Sequence, residues 1–268
     1  MTEPKVRHIL SLSGGKDSTA LAIYMKDKIP DVEYVFCDTG EELEETYEYL
    51  DKVEAYLGQT IVRLKNNRQG FKDLLAIRRN FLPSQKMRWC TQYLKIVPFE
   101  EYVGDDKVVS YVGIRADEQH RRGYVSTKTN IEARYPFIDD SIRKDDVYRI
   151  LEESGLGLPE YYKWRSRSGC YFCFYQQRIE WVGLLENHPK LFWDAAAFEK
   201  VNADTGERYT WAGMESLEEL AKPERVAEIK REHEKRKLQK RYNPGTGKLV
   251  DIFLEDADES EGCTICHL

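Results

Sequence analysis

The chain has 268 residues, 41% of them hydrophobic and 33% charged, and its formal net charge at pH 7 is -6. This composition describes a globular chain long enough for one large or two modest cores, and its negative charge argues against general nucleic-acid binding over the whole surface. No apolar run is long enough to cross a bilayer, and the first residues do not form a signal peptide. We therefore expect a cytoplasmic protein without a membrane partner, whose six cysteines serve metal, cluster or redox chemistry.

The first motif in the chain is the stretch 10–18, which reads LSLSGGKDS. It ends an apolar run from Val6 to Leu12 that predicts a strand, and it precedes a helical pattern from Thr19 to Lys28. Two adjacent glycines let main-chain N–H groups approach an anion, and a helix start adds unpaired N–H groups. The pattern predicts a phosphate-binding loop, and a glycine turn without a ligand is the alternative. It lacks the four-residue gap between glycines of the ordinary nucleoside-triphosphate loop, which argues against a kinase or GTPase.

The string Ser-Gly-Gly-x-Asp-Ser after a first strand resembles the PP-loop of the ATP pyrophosphatase superfamily, and in particular its phosphoadenosine phosphosulfate (PAPS) reductase branch. Most members cleave ATP between the α and β phosphates and adenylate a substrate, whereas the reductases bind an adenylated sulfate in the same pocket. The resemblance implies an adenine nucleotide α-hydrolase-like fold, with ATP and Mg²⁺ as ligands. It assigns nucleotide binding to Ser11, Ser13, Gly14, Gly15, Lys16, Asp17 and Ser18.

Strand and helix patterns alternate along the first half of the chain. Strands are predicted at Val32–Asp38, Thr60–Leu64 and Val108–Ile114, and helices at 41–57, Phe71–Arg79 and Arg143–Ser154. Alternation at this spacing predicts an α/β fold with a doubly wound, mostly parallel sheet. We assign residues 1–158 to this nucleotide-binding domain.

Polar residues follow two of these strands at the edge where a parallel sheet binds ligands. Asp38 and Thr39 end the second strand, and the resemblance implies that they contact the adenosine; a helix N-cap at Thr39 is the other interpretation. Gly113 and Arg115 occupy positions where the family has a glycine and an arginine beside the nucleotide. Because a guanidinium matches phosphate oxygens, we expect Arg115 to contact a phosphate. The segment 128–134 is expected to be a mobile, substrate-facing loop.

Three cysteines of the folded part are candidate metal ligands. Cys90 follows Lys-Met-Arg-Trp in a stretch that resembles the second signature of the reductase family, although Trp89 replaces the first of the two adjacent cysteines of its iron–sulfur members. Cys170 and Cys173 form a Cys-x-x-Cys turn, which suits a metal, a cluster edge or a redox disulfide. We expect Cys90, Cys170 and Cys173 to hold an iron–sulfur cluster of the 4Fe-4S type. Zinc between the two Cys-x-x-Cys pairs of the chain is the alternative.

The remainder of the chain reads as helical and then as an acidic tail. Helices are predicted at Gln176–Glu186, Pro189–Asn202, Ser216–Leu220 and Glu224–Arg241, so residues 159–242 form a cysteine-containing helical region packed on the first domain. The last helix is basic, and it either lies on a nucleic-acid backbone or presents a solvated face.

The tail, residues 243–268, ends in a second cysteine pair, Cys263 and Cys266. Reductases of the family carry a nucleophilic cysteine near the C-terminus, so the resemblance makes Cys266 a catalytic candidate. The tail could also relay a persulfide, close over the site, complete a metal site or have no role.

Together these features predict a PP-loop ATP pyrophosphatase that adenylates a substrate, with nucleic acid as the expected acceptor, and supports iron–sulfur-dependent sulfur transfer. Its catalytic residues are predicted to be Lys16, Asp17, Arg115 and Cys266. Among such enzymes the pattern resembles those of DNA phosphorothioate modification. The expected partners are an adenine nucleotide, a sulfur donor such as a cysteine desulfurase and a nucleic-acid substrate, and a homodimer is among the assemblies that the sequence allows. The alternatives are a PAPS or adenylylsulfate reductase that releases sulfite, and a non-catalytic nucleotide-binding protein with a structural metal.

Overall fold

The computed structural model describes residues 6–29, 31–118, 128–201 and 208–242. Its central sheet has the strands β1 Arg7–Leu12, β2 Val32–Cys37, β3 Ile61–Leu64, β4 Val108–Tyr111 and β5 Ile131–Arg134. Their order across the sheet is β3-β2-β1-β4-β5, and each neighbouring pair is parallel. A separate antiparallel pair consists of β6 Lys200–Val201 and β7 Arg208–Tyr209.

Helices connect and cover these strands. Their bounds are α1 Lys16–Met25, α2 Glu44–Leu57, α3 Phe71–Ile77, α4 Trp89–Thr91, α5 Val97–Val103, α6 Pro136–Asp139, α7 Lys144–Glu153, α8 Arg178–Asn187, α9 Pro189–Ala196, α10 Leu217–Leu220 and α11 Pro223–Tyr242. A π-helical turn at Gln92–Ile96 joins α4 to α5. The wider turn lies directly before Pro98, which has no N–H to donate to the regular helical ladder.

Helices lie on both faces of the sheet because its strands are apolar on both faces. In β1, Leu10 and Leu12 pack in one core with α1, α2 and α7, whereas Ile9 packs in another with α5. This arrangement confirms the predicted doubly wound, parallel α/β sheet. The chain proceeds outward from β1 to β3 on one side of the sheet and from β4 to β5 on the other, so the strand order reverses between β1 and β4. Such folds bind ligands in the crevice beyond the carboxyl ends of these two strands.

The C-terminal region packs on the sheet domain through an aromatic core. The ring of Phe71 in α3 lies 4.1 Å from that of Phe172 and 5.4 Å from that of Phe198, centroid to centroid. Phe172 in turn stacks on Trp211 at 5.3 Å. Residues from α3 and α4 therefore share one core with residues from 161 to 229, which fixes the Cys-x-x-Cys turn relative to the sheet.

Two sequence predictions about secondary structure are wrong. The segment 128–134 is not a loop throughout, because Ile131–Arg134 forms β5, in register with β4 from Val108↔Ile131 onward. Its Ile-Glu-Ala-Arg pattern alternates half-buried and exposed side chains, as an edge strand requires. The helix predicted from Pro189 to Asn202 ends at Ala196, because the Glu199 carboxylate instead accepts hydrogen bonds from the main-chain N–H groups of Trp211 and Leu217.

The described residues also bear on the membrane prediction and on the tail. No helix among them combines the length and the apolar character that a bilayer crossing requires. The predicted acidic tail at 243–268, with Cys263 and Cys266, lies outside the described residues.

Candidate active site

The predicted PP-loop forms a tight turn between β1 and α1. Gly14 has a φ of 71°, a conformation that favours glycine, and Gly15 is the N-cap of α1. A Cβ atom at Gly14 would lie 2.6 Å from Cγ2 of Thr46, so the loop is also held against α2. Because α1 begins at Lys16, earlier than predicted, Lys16 and Asp17 lie in its first turn, where main-chain N–H groups lack helical partners.

The serine hydroxyl groups of the loop form a buried network. Ser13 Oγ lies 3.0 Å from Ser18 Oγ, and Ser18 Oγ accepts the main-chain N–H of Ser13 at 3.0 Å. Ser168 of the C-terminal region donates to Ser13 Oγ at 3.1 Å. Ser11 is also buried, and its Oγ has no hydrogen-bond partner within the described ranges. The loop is thus lined by short hydroxyl groups from two parts of the chain.

Two tyrosines of the C-terminal region contact the main chain of the loop. The Tyr161 hydroxyl donates to Gly14 O at 2.7 Å, and the Tyr162 hydroxyl accepts the N–H of Lys16 at 3.1 Å. Burial raises the pKa of both phenols, so both stay protonated at neutral pH. Tyr162 therefore occupies a helix N-terminal N–H group of the kind that binds phosphate in other proteins.

A chain of buried charges starts at the loop and continues to the end of β4. Lys16 Nζ lies 3.2 Å from Asp17 Oδ2, and Arg115 Nη1 donates to Asp17 Oδ1 at 2.9 Å. The same guanidinium contacts Asp117 at 3.1 Å and Glu118 at 3.4 Å. Burial alone would lower the pKa of Arg115, but attraction to Asp17 and Glu118 outweighs it and leaves the pKa raised, so Arg115 stays charged.

Arg115 is 1% exposed, and the three carboxylates hold it at the crevice between β1 and β4. Its predicted contact with a phosphate stays a prediction. Gly113, also predicted to bind nucleotide, has a packing role here, since a Cβ atom at that position would lie 3.1 Å from the main-chain oxygen of Asp17. The end of β4 can pass the first turn of α1 only because Gly113 has no side chain.

Asp38 and Thr39 lie at the carboxyl end of β2, as predicted. Asp38 accepts hydrogen bonds from the N–H of Gly40 at 2.7 Å and from the hydroxyl of Tyr47 at 2.8 Å. The alternative interpretation of Thr39 as a helix N-cap is wrong, because α2 begins only at Glu44 with Leu43 as its N-cap.

Thr39 instead contacts the Cys-x-x-Cys turn. Its hydroxyl donates to Glu42 Oε1 at 3.0 Å and lies 3.2 Å from Cys170 Sγ. The N–H of Tyr171 donates to Glu41 O at 2.9 Å, and Arg165 donates to Cys170 O at 2.8 Å, so the turn is fixed on both sides. Burial, and then the charge of Glu42, raise the pKa of Cys170 well above its usual value. The thiol is consequently protonated at neutral pH, and metal binding would have to release that proton.

The three cysteines predicted to hold a cluster come from two parts of the chain, and their role as its ligands stays a prediction. In the described part of the chain, no group of three or more His, Cys, Asp or Glu side chains is placed to hold a metal ion. Cys90 lies on α4 and, like Cys170, packs against the aromatic core. Cys37, by contrast, is a buried residue of β2 whose thiol faces the main-chain oxygen of Lys95 at 3.6 Å, as expected for a small apolar side chain.

Several residues of the site were not predicted. Tyr161, Tyr162 and Ser168 stand in the tyrosine- and arginine-rich stretch before Cys170, but no sequence pattern indicated that they contact the loop. Glu118 belongs to a polar stretch after β4, in which charged side chains are usually solvated, and yet it is 5% exposed. A signal for Glu118 exists in retrospect, since a glutamate three residues after an arginine suits a local ion pair.

Comparisons with known proteins agree with this geometry. The family model for the phosphoadenosine phosphosulfate reductase domain matches residues 7–174, from the first residue of β1 to just past Cys173. Two uncharacterised proteins of Methanocaldococcus jannaschii are 29% and 28% identical over 69% and 68% of this chain. The alignments cover only 39% and 45% of those proteins, so the chain spans less than half of their length.

Two solved structures also show similarity to this chain. A PAPS reductase from Candida auris is 16% identical, with 63% of this chain and 83% of that chain covered and a TM-score of 0.49. The U34-tRNA thiolase NcsA from Methanococcus maripaludis, solved with its 4Fe-4S cluster, is 15% identical, with 72% and 70% covered and a TM-score of 0.38.

The family match confirms the resemblance based on the PP-loop and supports a nucleotide-binding, sulfur-related enzyme. It covers both the PP-loop and the Cys-x-x-Cys turn, the two features that the structure brings together through Ser13–Ser168 and Thr39–Cys170. The chain belongs to the phosphoadenosine phosphosulfate reductase domain family.

Proposed function

We propose that the protein binds ATP at its PP-loop, adenylates an acceptor and supports transfer of sulfur to that acceptor. The observation that carries this proposal is the contact of the loop with the cysteine turn. Ser168 donates to Ser13 of the loop at 3.1 Å, and two residues later Cys170 lies 3.2 Å from Thr39 at the same edge of the sheet. These contacts support the proposal because they bring a thiol to the edge of the sheet where we propose that the nucleotide binds.

In the first step, an acceptor oxygen attacks the α-phosphorus of ATP, the bond between the α-phosphorus and its bridging oxygen breaks, and pyrophosphate leaves. The main-chain N–H groups at Gly15 and Lys16 and the serine hydroxyl groups would bind the phosphates, with Tyr162 giving up its bond to Lys16. Lys16 and Arg115 would stabilise the developing charge. Magnesium typically binds through phosphate oxygens and one or two carboxylates, and Asp17 and Asp38 are the carboxylates at this edge that would hold it.

In the second step, a sulfide equivalent from a donor attacks the adenylated atom, and AMP leaves with the acceptor oxygen. The donor we propose is a cysteine desulfurase together with a dithiol reductant, which is oxidised to a disulfide as it releases the persulfide sulfur at the level of sulfide. Nucleic acid is the proposed acceptor. Neither step is routed through an iron–sulfur cluster, because no group of three or more metal-ligating side chains in the described ranges is placed to hold a metal ion. A cluster on Cys90, Cys170 and Cys173 stays a prediction. Brown anaerobically purified protein with broad visible absorbance would support it, and colourless protein without iron would contradict it.

A turnover assay tests the proposal. The full chain, purified without oxygen, is given ATP, Mg²⁺ and sulfide, with and without tRNA or DNA, and AMP and pyrophosphate are measured. We expect release of both products, stimulated by the acceptor, and a loss of roughly a hundredfold or more in Lys16→Ala if Lys16 stabilises the transferred charge. Lys28→Ala is the matched control, because Lys28 lies just past the other end of α1 and pairs with Asp140. Equal rates in the two variants would contradict the role given to Lys16.

The second candidate function is reduction of an adenylated sulfate, which the family match favours. This reaction needs no ATP cleavage. It needs a thiol that attacks the sulfur, for which Cys266 in the tail is the predicted residue, and a dithiol reductant to regenerate it. Release of sulfite from PAPS, with no pyrophosphate released from ATP, would establish the reductase and exclude the transferase. Binding of ATP without any product would instead indicate a nucleotide-binding regulator.

A further inference from the structure

A second cavity adjoins the predicted nucleotide site. It has a volume of about 610 Å³ and lies between the segment 162–166, α8 and α11; we call it the α8–α11 groove. Lys16 and Tyr162, which contact each other at the PP-loop, both line this groove. A molecule bound there would therefore reach the first turn of α1.

The groove combines flat aromatic faces with cations. Tyr148 is 37% exposed, and the half-buried Trp164 packs against Gly183, where an added Cβ would lie 2.7 Å from the indole. Lys163 and Lys237 line the groove with side chains 74% and 63% exposed. Aromatic faces suit bases and exposed lysines suit phosphates, so the lining matches a nucleotide chain.

Three carboxylates line the groove, and each has a partner within the protein; Glu186 pairs with Lys230, which also lines the groove. Glu180 is 2% exposed, and its Oε1 accepts both the N–H and the hydroxyl of Ser166, so its charge is satisfied within the protein. Glu234 lies 3.7 Å from Lys237, and this exposed pair is weak enough for a phosphate to replace it.

The size of the groove selects the form of nucleic acid. A volume of 610 Å³ falls within the range of ~300–1,000 Å³ typical of small-ligand sites, so it takes a short unpaired stretch and not a duplex. Stacking on aromatic rings likewise requires bases that are not already paired and stacked in a helix.

We propose that the α8–α11 groove binds an unpaired segment of the nucleic-acid acceptor and leads it to the PP-loop. This inference rests on the proposed function and names the acceptor's form: a single strand, loop or bulge. It also assigns nucleic-acid binding to one part of the surface of the basic helix α11. Lys230 and Lys237 line the groove, whereas Lys235 does not.

A pair of charge reversals tests the groove. Fluorescence anisotropy measures binding of short labelled oligouridylate, oligothymidylate and a duplex of equal length to the full chain. We expect the double variant Lys163→Glu with Lys237→Glu to bind single strands at least about tenfold more weakly, with a salt slope smaller by about 1.4, since each single-strand phosphate contact contributes ~0.7. Lys235→Glu is the matched control on the same helix and should lose less than about threefold.

A second variant tests the aromatic face without changing charge. Tyr148→Ala removes an exposed ring from the groove and is expected to weaken single-strand binding about fivefold or more, with an unchanged salt slope. Thermal unfolding of each variant shows that it is folded. The RNA and DNA arms distinguish the two sources of single strand.

The outcomes separate this inference from the proposed function. Two results would contradict nucleic-acid binding in the groove even if ATP is cleaved. One is an equal loss of affinity in the double variant and in Lys235→Glu, and the other is tighter binding of the duplex than of single strands. A loss of affinity confined to the groove variants supports binding in the groove, even if no AMP is released from ATP. In that case the proposed function is wrong, whereas the inference about the groove is supported. Wild-type protein that binds no oligonucleotide but cleaves ATP overturns the groove alone.

Discussion

Two arginines at opposite ends of the central sheet are held by carboxylates in different ways. Arg7, at the first position of β1, makes a two-pronged contact with Glu33 at 2.7 and 2.8 Å and a third with Asp106 at 2.9 Å. Its side chain is 22% exposed. Arg115, beyond the carboxyl end of β4, contacts Asp17 at 2.9 Å, with Asp117 and Glu118 beside it, and its side chain is 2% exposed.

The two networks differ in how far their charges are exposed to water. Water screens the charges around Arg7, so that network joins the start of β1 to its neighbours at little cost. The charges around Arg115 are buried at the crevice, where burial is costly unless every charge has its partner. This buried array lies beside the PP-loop, which it contacts through Asp17. The following predictions test this contrast, from the largest expected effect to the smallest.

Replacing each arginine by glutamine should give the largest difference in stability between the two ends of the sheet. Arg115→Gln removes the guanidinium from the buried Glu118 and leaves Asp17 with Lys16 alone, so we expect the free energy of unfolding to fall by about 3–5 kcal/mol. Arg7→Gln should cost about 1 kcal/mol, because its partners can turn to solvent. Urea unfolding of both variants measures the difference. Similar losses at the two positions would show that burial does not distinguish the networks.

Two glycines in left-handed conformations allow the two ends of the sheet to be compared for the cost of adding a side chain. Gly14 has a φ of 71° and faces Thr46 Cγ2 at 2.6 Å, whereas Gly58, which precedes β3 at the other end, has a φ of 67° and open space around it. Gly14→Ala should destabilise by about 2–3 kcal/mol and Gly58→Ala by about 1 kcal/mol, since both carry the left-handed cost and only Gly14 adds a steric clash. Thermal unfolding compares them. A cost at Gly14 no larger than at Gly58 would show that α2 moves aside freely.

Glu41, which follows β2 at the PP-loop end of the sheet, predicts that the free energy of unfolding depends on pH. Burial raises its pKa to about 6, although Lys72 opposes the shift, from a reference value of 4.5. Because the folded state binds this proton more tightly than the unfolded chain, the free energy of unfolding should fall as the pH rises from 4.5 to about 6, by at most ~2 kcal/mol. Urea unfolding across this range should show that Glu41→Gln removes this part of the slope. A slope unchanged in the variant would assign it to other groups.

Removing a tyrosine hydroxyl group should change the affinity for ATP at the PP-loop end of the sheet but not at the other end. Tyr162→Phe removes the hydroxyl that accepts the N–H of Lys16 at 3.1 Å, so a phosphate no longer competes for that group. We expect ATP to bind about threefold more tightly, which corresponds to ~0.7 kcal/mol. Tyr102→Phe, which loses a hydrogen bond to Glu33 at the other end, should leave ATP affinity unchanged. Isothermal titration measures both. Weaker binding in Tyr162→Phe would mean that the hydroxyl contacts the nucleotide itself.

Much of the sheet domain could be predicted from the sequence. The apolar runs before Ser13 and Thr39 gave β1 and β2, because strands buried on both faces are apolar at nearly every position. The PP-loop was recognisable because its glycines and hydroxyl groups are local, with all of them within one turn and the start of one helix. β5 was missed, because an edge strand with two exposed charges, Glu132 and Arg134, resembles a polar loop.

The contacts that complete the candidate site could not be predicted. Ser13 and Ser168 are 155 positions apart, Thr39 and Cys170 are 131 apart, and their pairing depends on how the aromatic core docks the C-terminal region. No periodicity encodes such a distance. The ligand assignment of Cys90, Cys170 and Cys173 was similarly inferred from residue types, and it stays a prediction.

The sequence by itself determined the first four strands, the position of the PP-loop and the family, because these depend on short-range patterns of side chain and backbone freedom. Only the tertiary structure decided that Tyr162 binds the loop's N–H group, that three carboxylates enclose Arg115, and that a groove beside Lys16 is lined from α11. Those arrangements depend on which distant surfaces are buried together, and burial is a property of the whole fold.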